Sequence, residues 1–192
     1  MKRFAVISLS VASTFLVFSA GAFALSPSAQ LEAGNARLTR ELDTAHAMKG
    51  QMVTAKLTET IETPEGLKLP NGTELMGFVD QVQASHDKSP ARLSLTFDKA
   101  QLKDGKDVAI KATLVAVAPS GAPDNLETKV AGNDSFDQEP GLLSGVSLHS
   151  KVQSNSSGTL ISRDKNIRLV DGTQMQIAIA PASAMWNTRT GS

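Results

Sequence analysis

Ala91-Arg92-Leu93-Ser94-Leu95-Thr96-Phe97-Asp98 decides the fold. Its odd positions are apolar and its even positions polar, which is the period of a strand with one face in a core and the other in water. Working outward, Val53, Ala55 and Leu57 repeat the pattern around Thr54 and Lys56, with Glu59 interrupting the apolar row before Ile61. From Val108 to Ala118 both faces become apolar, with Val108, Ile110, Ala112 and Leu114 on one side and Val115 and Val117 on the other, as in a central or bent strand. Ile167 and Leu169, followed by Met175, Ile177 and Ile179, read as the two arms of a C-terminal hairpin. These runs predict an all-β fold, an antiparallel barrel or sandwich of short strands and hairpins with one long irregular loop.

Turn chemistry separates the runs. Asn71-Gly72, Asp104-Gly105 and Asp171-Gly172 accept the positive backbone angles of tight turns. Two of them lie in matching contexts, Leu69-Pro70-Asn71-Gly72-Thr73-Glu74-Leu75 and Leu169-Val170-Asp171-Gly172-Thr173-Gln174-Met175. Shared hairpin geometry explains that likeness more simply than duplication of a unit. Pro70 sets the approach to its turn, Gly72 takes the positive φ, and Thr73 opens the next strand. Gly77 is expected at a bulge or a close backbone approach that moves the apolar face from Leu75 to Phe78.

Lys2 and Arg3 precede an apolar run from Phe4 to Ala20, and Ala22-Phe23-Ala24 supplies a small-x-small cleavage site. Residues 1–24 therefore read as a secretory signal peptide cut after Ala24, which predicts an exported protein of the periplasm or cell envelope. The remaining 168 residues carry 17 Lys and Arg against 19 Asp and Glu, a net charge of −2, and no further membrane span is expected. Their aromatic residues are Phe78, Phe97, Phe136 and Trp186, too few for the aromatic girdles of an outer-membrane barrel. Residues 25–35 are expected to be a flexible segment, 36–181 one barrel domain with a long loop at 119–145, and 182–192 a tail. The Ser-, Gly- and Asn-rich stretch 119–163 is expected to hold one strand, from Val146 to Val152.

Basic residues are scattered singly among acids and hydroxyls, so no nucleic-acid partner is expected. There is no Cys and hence no disulfide or thiol chemistry. His46, His86 and His149 form no ligand-spaced pair, and no nucleophile elbow or phosphate-binding glycine loop occurs. Ser144-Gly145 and Ser157-Gly158 read as ordinary loop dipeptides. The run Asn133-Asp134-Ser135-Phe136-Asp137-Gln138-Glu139 lacks the spacing of a calcium loop and reads as a solvated acidic loop. No catalytic, metal or cofactor residue is assigned. The residues singled out are those of turns and bulges: Pro70, Asn71, Gly72, Thr73, Gly77, Asp104, Gly105, Asp171, Gly172 and Thr173.

Leu42 to Gly50, Val53 to Leu57, Leu69 to Gly77, Arg92 to Asp98 and Leu102 to Ile110 together resemble the C-terminal β-barrel domain of TrbI-type scaffold proteins of bacterial type IV secretion and conjugation systems. The resemblance covers roughly residues 36 to 118 and rests on Pro70, Gly72, Thr73, Gly77, Arg92 and Gly105. Small exported bacterial proteins of similar pattern are nearer in size. It implies a non-catalytic envelope barrel that works through contacts with another envelope protein or with itself. The family's anchor, Pro-rich spacer and membrane-crossing helical hairpin have no counterpart in the pattern, so a channel role is not expected. Two alternatives stay open: a small-molecule or glycan-binding barrel in the periplasm, and a hydrolase using dispersed residues such as Asp80, His86 and Asp87.

Overall fold

The computed structural model describes residues 31–87, 89–123, 126, 135–138 and 142–182; residues 1–24 and 183–192 lie outside them. Six long strands form the staves of a closed antiparallel barrel: β1 (Glu32–Leu38), β3 (Met52–Leu57), β6 (Glu74–Gln83), β7 (Ala91–Gln101), β8 (Asp107–Ala118) and β12 (Gln174–Pro181). Their order is β6, β3, β1, β12, β8, β7, and a β6–β7 ladder closes the ring. The short strands β2 (Leu42–Asp43) and β4 (Ile61–Glu62) pair with β11 (Arg168–Leu169) and β5 (Lys68–Leu69) respectively. Finally β10 (Gly158–Ser162) runs beside β7, and β9 (Val146–His149) beside β10.

Alternation places the core inside the wall. Ala91, Leu93, Leu95 and Phe97 are all buried, and they meet Leu38, Leu57, Leu75, Leu114 and Ile177 in one aliphatic cluster. Each such side chain contributes roughly 1.5–3 kcal/mol through its removal from water. The outward row is polar: Gln174, Arg37, Lys56, Glu74, Gln101 and Asp107 are consecutive register partners across the six staves. Gln174 also pairs with Ala118, so one circuit of the wall returns to β8 eleven residues beyond Asp107. That stagger tilts the staves and gives the barrel its shape.

Several expectations change here. Residues 32–35 belong to β1 and not to a flexible segment. The C-terminal hairpin does not exist, because β11 pairs with β2 while β12 lies between β1 and β8. The bulge at Gly77 is present, but its extra residue is Asp98 on β7, between the pairs Met76–Lys99 and Gly77–Phe97. Leu75, Gly77 and Val79 consequently stay inside in unbroken alternation, and Phe78 points out. A matching bulge at Val115 returns Val117 to the same core as Leu114. Among its described residues the stretch 119–163 holds two strands, β9 and β10; the second is hidden from the pattern because Gly158 and Ser162 are small buried residues.

The wall has an approximate two-fold repeat that is read in hydrogen bonds. Gly72 N–H donates to Leu57 O at 2.8 Å and Gly172 N–H to Leu38 O at 2.8 Å. Leu57 N–H returns to Thr73 O and Leu38 N–H to Thr173 O, both at 2.9 Å. Thr58 N–H donates to Asn35 O and Thr39 N–H to Thr54 O. Thr44 and Thr63 hold the short ladders alike, each hydroxyl accepting from the backbone of Ile167 or Leu67. Even the bulges correspond, Asp98 with Val115. One half is β3 to β7; the other is β1, β2, β8, β11 and β12. Behind it lies a second local likeness, Ala36-Arg37-Leu38-Thr39 with Ala55-Lys56-Leu57-Thr58. The matching glycine turns are thus parts of a repeated half-barrel, and neither closes a hairpin between its flanking strands.

Candidate functional site

At the two matching turns, Thr73 N–H donates to Pro70 O and Thr173 N–H to Val170 O, with the central glycines at φ 83° and 78°. Asn71 and Asp171 are absent from the left-handed region, so each is a type II turn with glycine at its third position. Thr73 and Thr173 are fully buried, and each hydroxyl donates to the carbonyl of residue 70 or 170 at 2.7 Å. The threonines thus lock the turns, beyond opening a strand. Asp104 and Gly105 stand apart from that scheme: they close a true hairpin from β7 to β8, where Asp104 Oδ1 accepts from Lys106 N–H.

The turns bring Asn71 and Asp171 to opposite rims of one open groove of about 440 Å³ on the outer wall. Its centre is the cross-strand pair Arg37 and Lys56, and Thr39 and Thr58 stand on its sides. The repeat axis passes through that pair, since Arg37 and Lys56 correspond to each other. A Cβ on Gly72 would lie 3.2 Å from Lys103 Cε and 3.5 Å from Lys56 Cε, so the backbone of this turn is flanked by two lysine stems. In the other half the equivalent neighbour is Ser120, whose Oγ would lie 2.7 Å from a Cβ on Gly172.

The axis leaves the opposite wall at Ser157. There β7 and β8, paired only over Lys99 to Gln101, part company, and Leu114 and Phe97 are equivalent residues across the gap. Leu114 N–H donates to Ser157 O at 2.8 Å, and Phe97 N–H to Ser157 Oγ at 2.9 Å. One fully buried serine therefore satisfies both halves, and Gly158 follows it because a Cβ there would press on Leu114 at 3.1 Å. The reading of Ser157-Gly158 as a loop dipeptide is corrected. A serine in a serine-rich stretch carries no signal that it closes a seam.

The two halves differ on their outer faces. On one, Ala178 and Val115 are covered by Phe136 and Val152, with Leu31 and Ala33 packed beside them. Phe136 N–H donates to Ser150 O at 2.9 Å, and the buried Ser150 hydroxyl donates to Leu114 O and Phe136 O. Phe136 is therefore part of a packed cover, which corrects the solvated loop for that residue. On the other half the equivalents of Ala33 and Ala178 are Met52 and Phe78, register partners that are 66% and 36% exposed, with Met48 nearby at 71%. Sequence reasoning missed this surface because it sent Phe78 into the core.

The remaining charged groups are dispersed. His46, His86 and His149 each face one aspartate, Asp43, Asp87 and Asp137, at 3.5, 2.9 and 3.4 Å. His86 and Asp87 stand at the exposed tip of the β6–β7 hairpin, with Asp87 at φ 43°. Arg168 hydrogen-bonds to Glu41, which holds the Glu41 carboxyl below its usual range and raises the guanidinium. Hydrogen bonds from Lys99 and then Gln101 do the same to Asp107. Burial pushes the Lys111 ammonium down, although it still donates to Ser154 O. No family model matches the chain, and no curated protein matches it.

Proposed function

We propose that the protein is a non-catalytic exported barrel of the cell envelope that acts through contacts with another envelope protein or with itself, in the manner of the secretion-system scaffold domains it resembles. The observation that carries this reading is the exposed Met48, Met52 and Phe78 surface. The same face of the other half is closed by the chain's own Phe136, so apolar cover is how this wall is finished where the chain itself supplies it. Methionine and phenylalanine together make an adaptable contact surface. Other features point the same way. The barrel interior is filled by Leu93, Leu95, Phe97 and Leu114, which favours recognition on the outside over a ligand held within. The charged outward row suits an aqueous compartment.

The test is a photo-crosslinking amino acid at position 78 in the full chain, expressed in intact cells, with position 65 as an exposed control. The expected product is one stoichiometric adduct, with an envelope protein or a second copy, at 78 and not at 65. Equal, diffuse labelling from both positions would overturn the reading.

A further inference from the structure

We infer that the hollow beside Arg40 is a carboxylate-binding pocket, filled by an aspartate or glutamate side chain of the protein that covers the Met48, Met52 and Phe78 face. This rests on the reading of that face as a contact surface and names what the partner carries. The pocket has a volume of about 200 Å³, and exposed Met52 forms one of its walls, so it continues the apolar surface.

The repeat of the barrel shows what such a site holds. Ala36-Arg37-Leu38-Thr39-Arg40-Glu41-Leu42 corresponds to Ala55-Lys56-Leu57-Thr58-Glu59-Thr60-Ile61, so Arg40 stands where the other half has Glu59. There Asn35 O accepts from Thr58 N–H, and Asn35 N–H, on the same edge of β1, donates to Glu59 Oε1 at 2.7 Å, joined by Asn35 Nδ2 at 2.8 Å. Ile61 closes over Gly34 beside it, where a Cβ would lie 2.2 Å from Ile61 Cδ1. The counterpart of Asn35 is Thr54. Its carbonyl accepts from Thr39 N–H, so its own N–H faces the edge of β3 that β1 leaves free after their last pair, Leu38 and Ala55. Among the described residues that N–H has no acceptor, since an arginine offers only donors where the glutamate offered an oxygen. Leu42 and Val53, the counterparts of Ile61 and Gly34, line the pocket instead of filling it.

Arg40 is unanswered as well. Among the described residues no carboxylate lies within ion-pair distance of it, and both oxygens of its neighbour Glu41 are held by Arg168. Gln51 Oε1 accepts from Met48 N–H, which leaves the donor end of that amide for the pocket it lines. A guanidinium, a backbone N–H and an amide donor around one space call for an anionic acceptor with two oxygens. A polypeptide source follows from the covered half, where Phe136 lies over Ala33 while Glu59 binds Asn35, two residues along the same outward row. Met52 and Thr54 are the counterparts of Ala33 and Asn35, so one partner segment meets both with an apolar side chain and a carboxylate.

The test follows the Thr54 amide by NMR in the isotope-labelled full chain, titrated with the blocked peptide Phe-Gly-Glu-Gly, its Gln counterpart and sodium acetate. The Glu peptide should move the Thr54 proton downfield and bind roughly tenfold tighter than the Gln peptide or acetate, with about fivefold or more lost in Arg40→Gln. Arg40→Glu gives this half the carboxylate that Glu59 gives the other; it should slow Thr54 hydrogen exchange about tenfold and abolish the preference for the Glu peptide. Equal affinity for the Glu and Gln peptides, a Thr54 amide indifferent to Arg40→Glu, or acetate binding as tightly as the Glu peptide would overturn the proposal. In cells, the adduct from position 78 should fall about threefold or more in Arg40→Gln. An adduct unchanged by that substitution removes the pocket and keeps the contact surface, whereas absence of a specific adduct with the Glu preference intact removes the contact surface and keeps the pocket.

Discussion

The two half-barrels share turns, bulges and short ladders, yet one presents Ala33 and Ala178 under the cover of Phe136 while the other presents Met52 and Phe78 to solvent. The difference teaches that hydrogen bonding and surface are set independently. Backbone groups in a closed wall must be satisfied in both halves alike, whereas outward side chains are free to answer what lies against them. Small residues stand where the chain covers itself, and large apolar ones where it does not.

The sharpest way to break that comparison is at an inner position where the halves diverge. A Cβ on Gly77 would lie 1.9 Å from Thr96 O, while its equivalent is Ile177, fully buried in the core. Gly77→Val should cost about 4 kcal/mol and Ile177→Val about 1 kcal/mol, compared by urea denaturation. Similar midpoints for both would mean the backbones approach equally in the two halves. Next, Phe136→Ala should cost about 3 kcal/mol, and Phe78→Ser less than about 0.5 kcal/mol. A large loss from Phe78→Ser would show that its face is closed within the isolated chain. Ser157→Ala should cost about 2 kcal/mol, since it leaves the Phe97 N–H without its acceptor in a buried seam. Unchanged stability there would remove the serine from the axis.

The smallest effect concerns acid. Glu41 and Asp107 have lowered values in the folded protein, so their stabilisation is present above the ordinary values of 4.5 and 3.8 and is lost as pH falls through them toward the folded values. Both are exposed, and the change is modest. Arg168→Gln should flatten the part due to Glu41, seen as a smaller fall in melting temperature between pH 6 and pH 3 than in the parent. An identical fall in both proteins would discard Arg168 as its source.

Strands were legible where one face meets the core and the other water, as from Ala91 to Asp98, because alternation is enforced by burial itself. The glycines of the turns and the bulge at Gly77 were legible because few residues tolerate those places. The repeat was not: its likeness is carried by backbone bonds, its sequence echoes are four to seven residues long, and its parts occur in permuted order along the chain. Nor was the outward position of Phe78, since the residue that absorbs the bulge, Asp98, lies on the neighbouring strand.

That permuted order has a consequence in time. Residues 51 to 103 contain every stave of one half in succession, whereas the other half needs β1 from the start of the domain, β8 from its middle and β12 from its end. A chain emerging from its N-terminus can assemble β3, β6 and β7 early, because their contacts are local and their loop-closure entropy is small. β1 must wait some 140 residues for β12, its register partner. Ser157 arrives late as well, so the seam between β7 and β8 stays open until the last quarter of the molecule is present. The half with the uncovered apolar face is therefore complete first, and Met52 and Phe78 are on display before the barrel they belong to has closed.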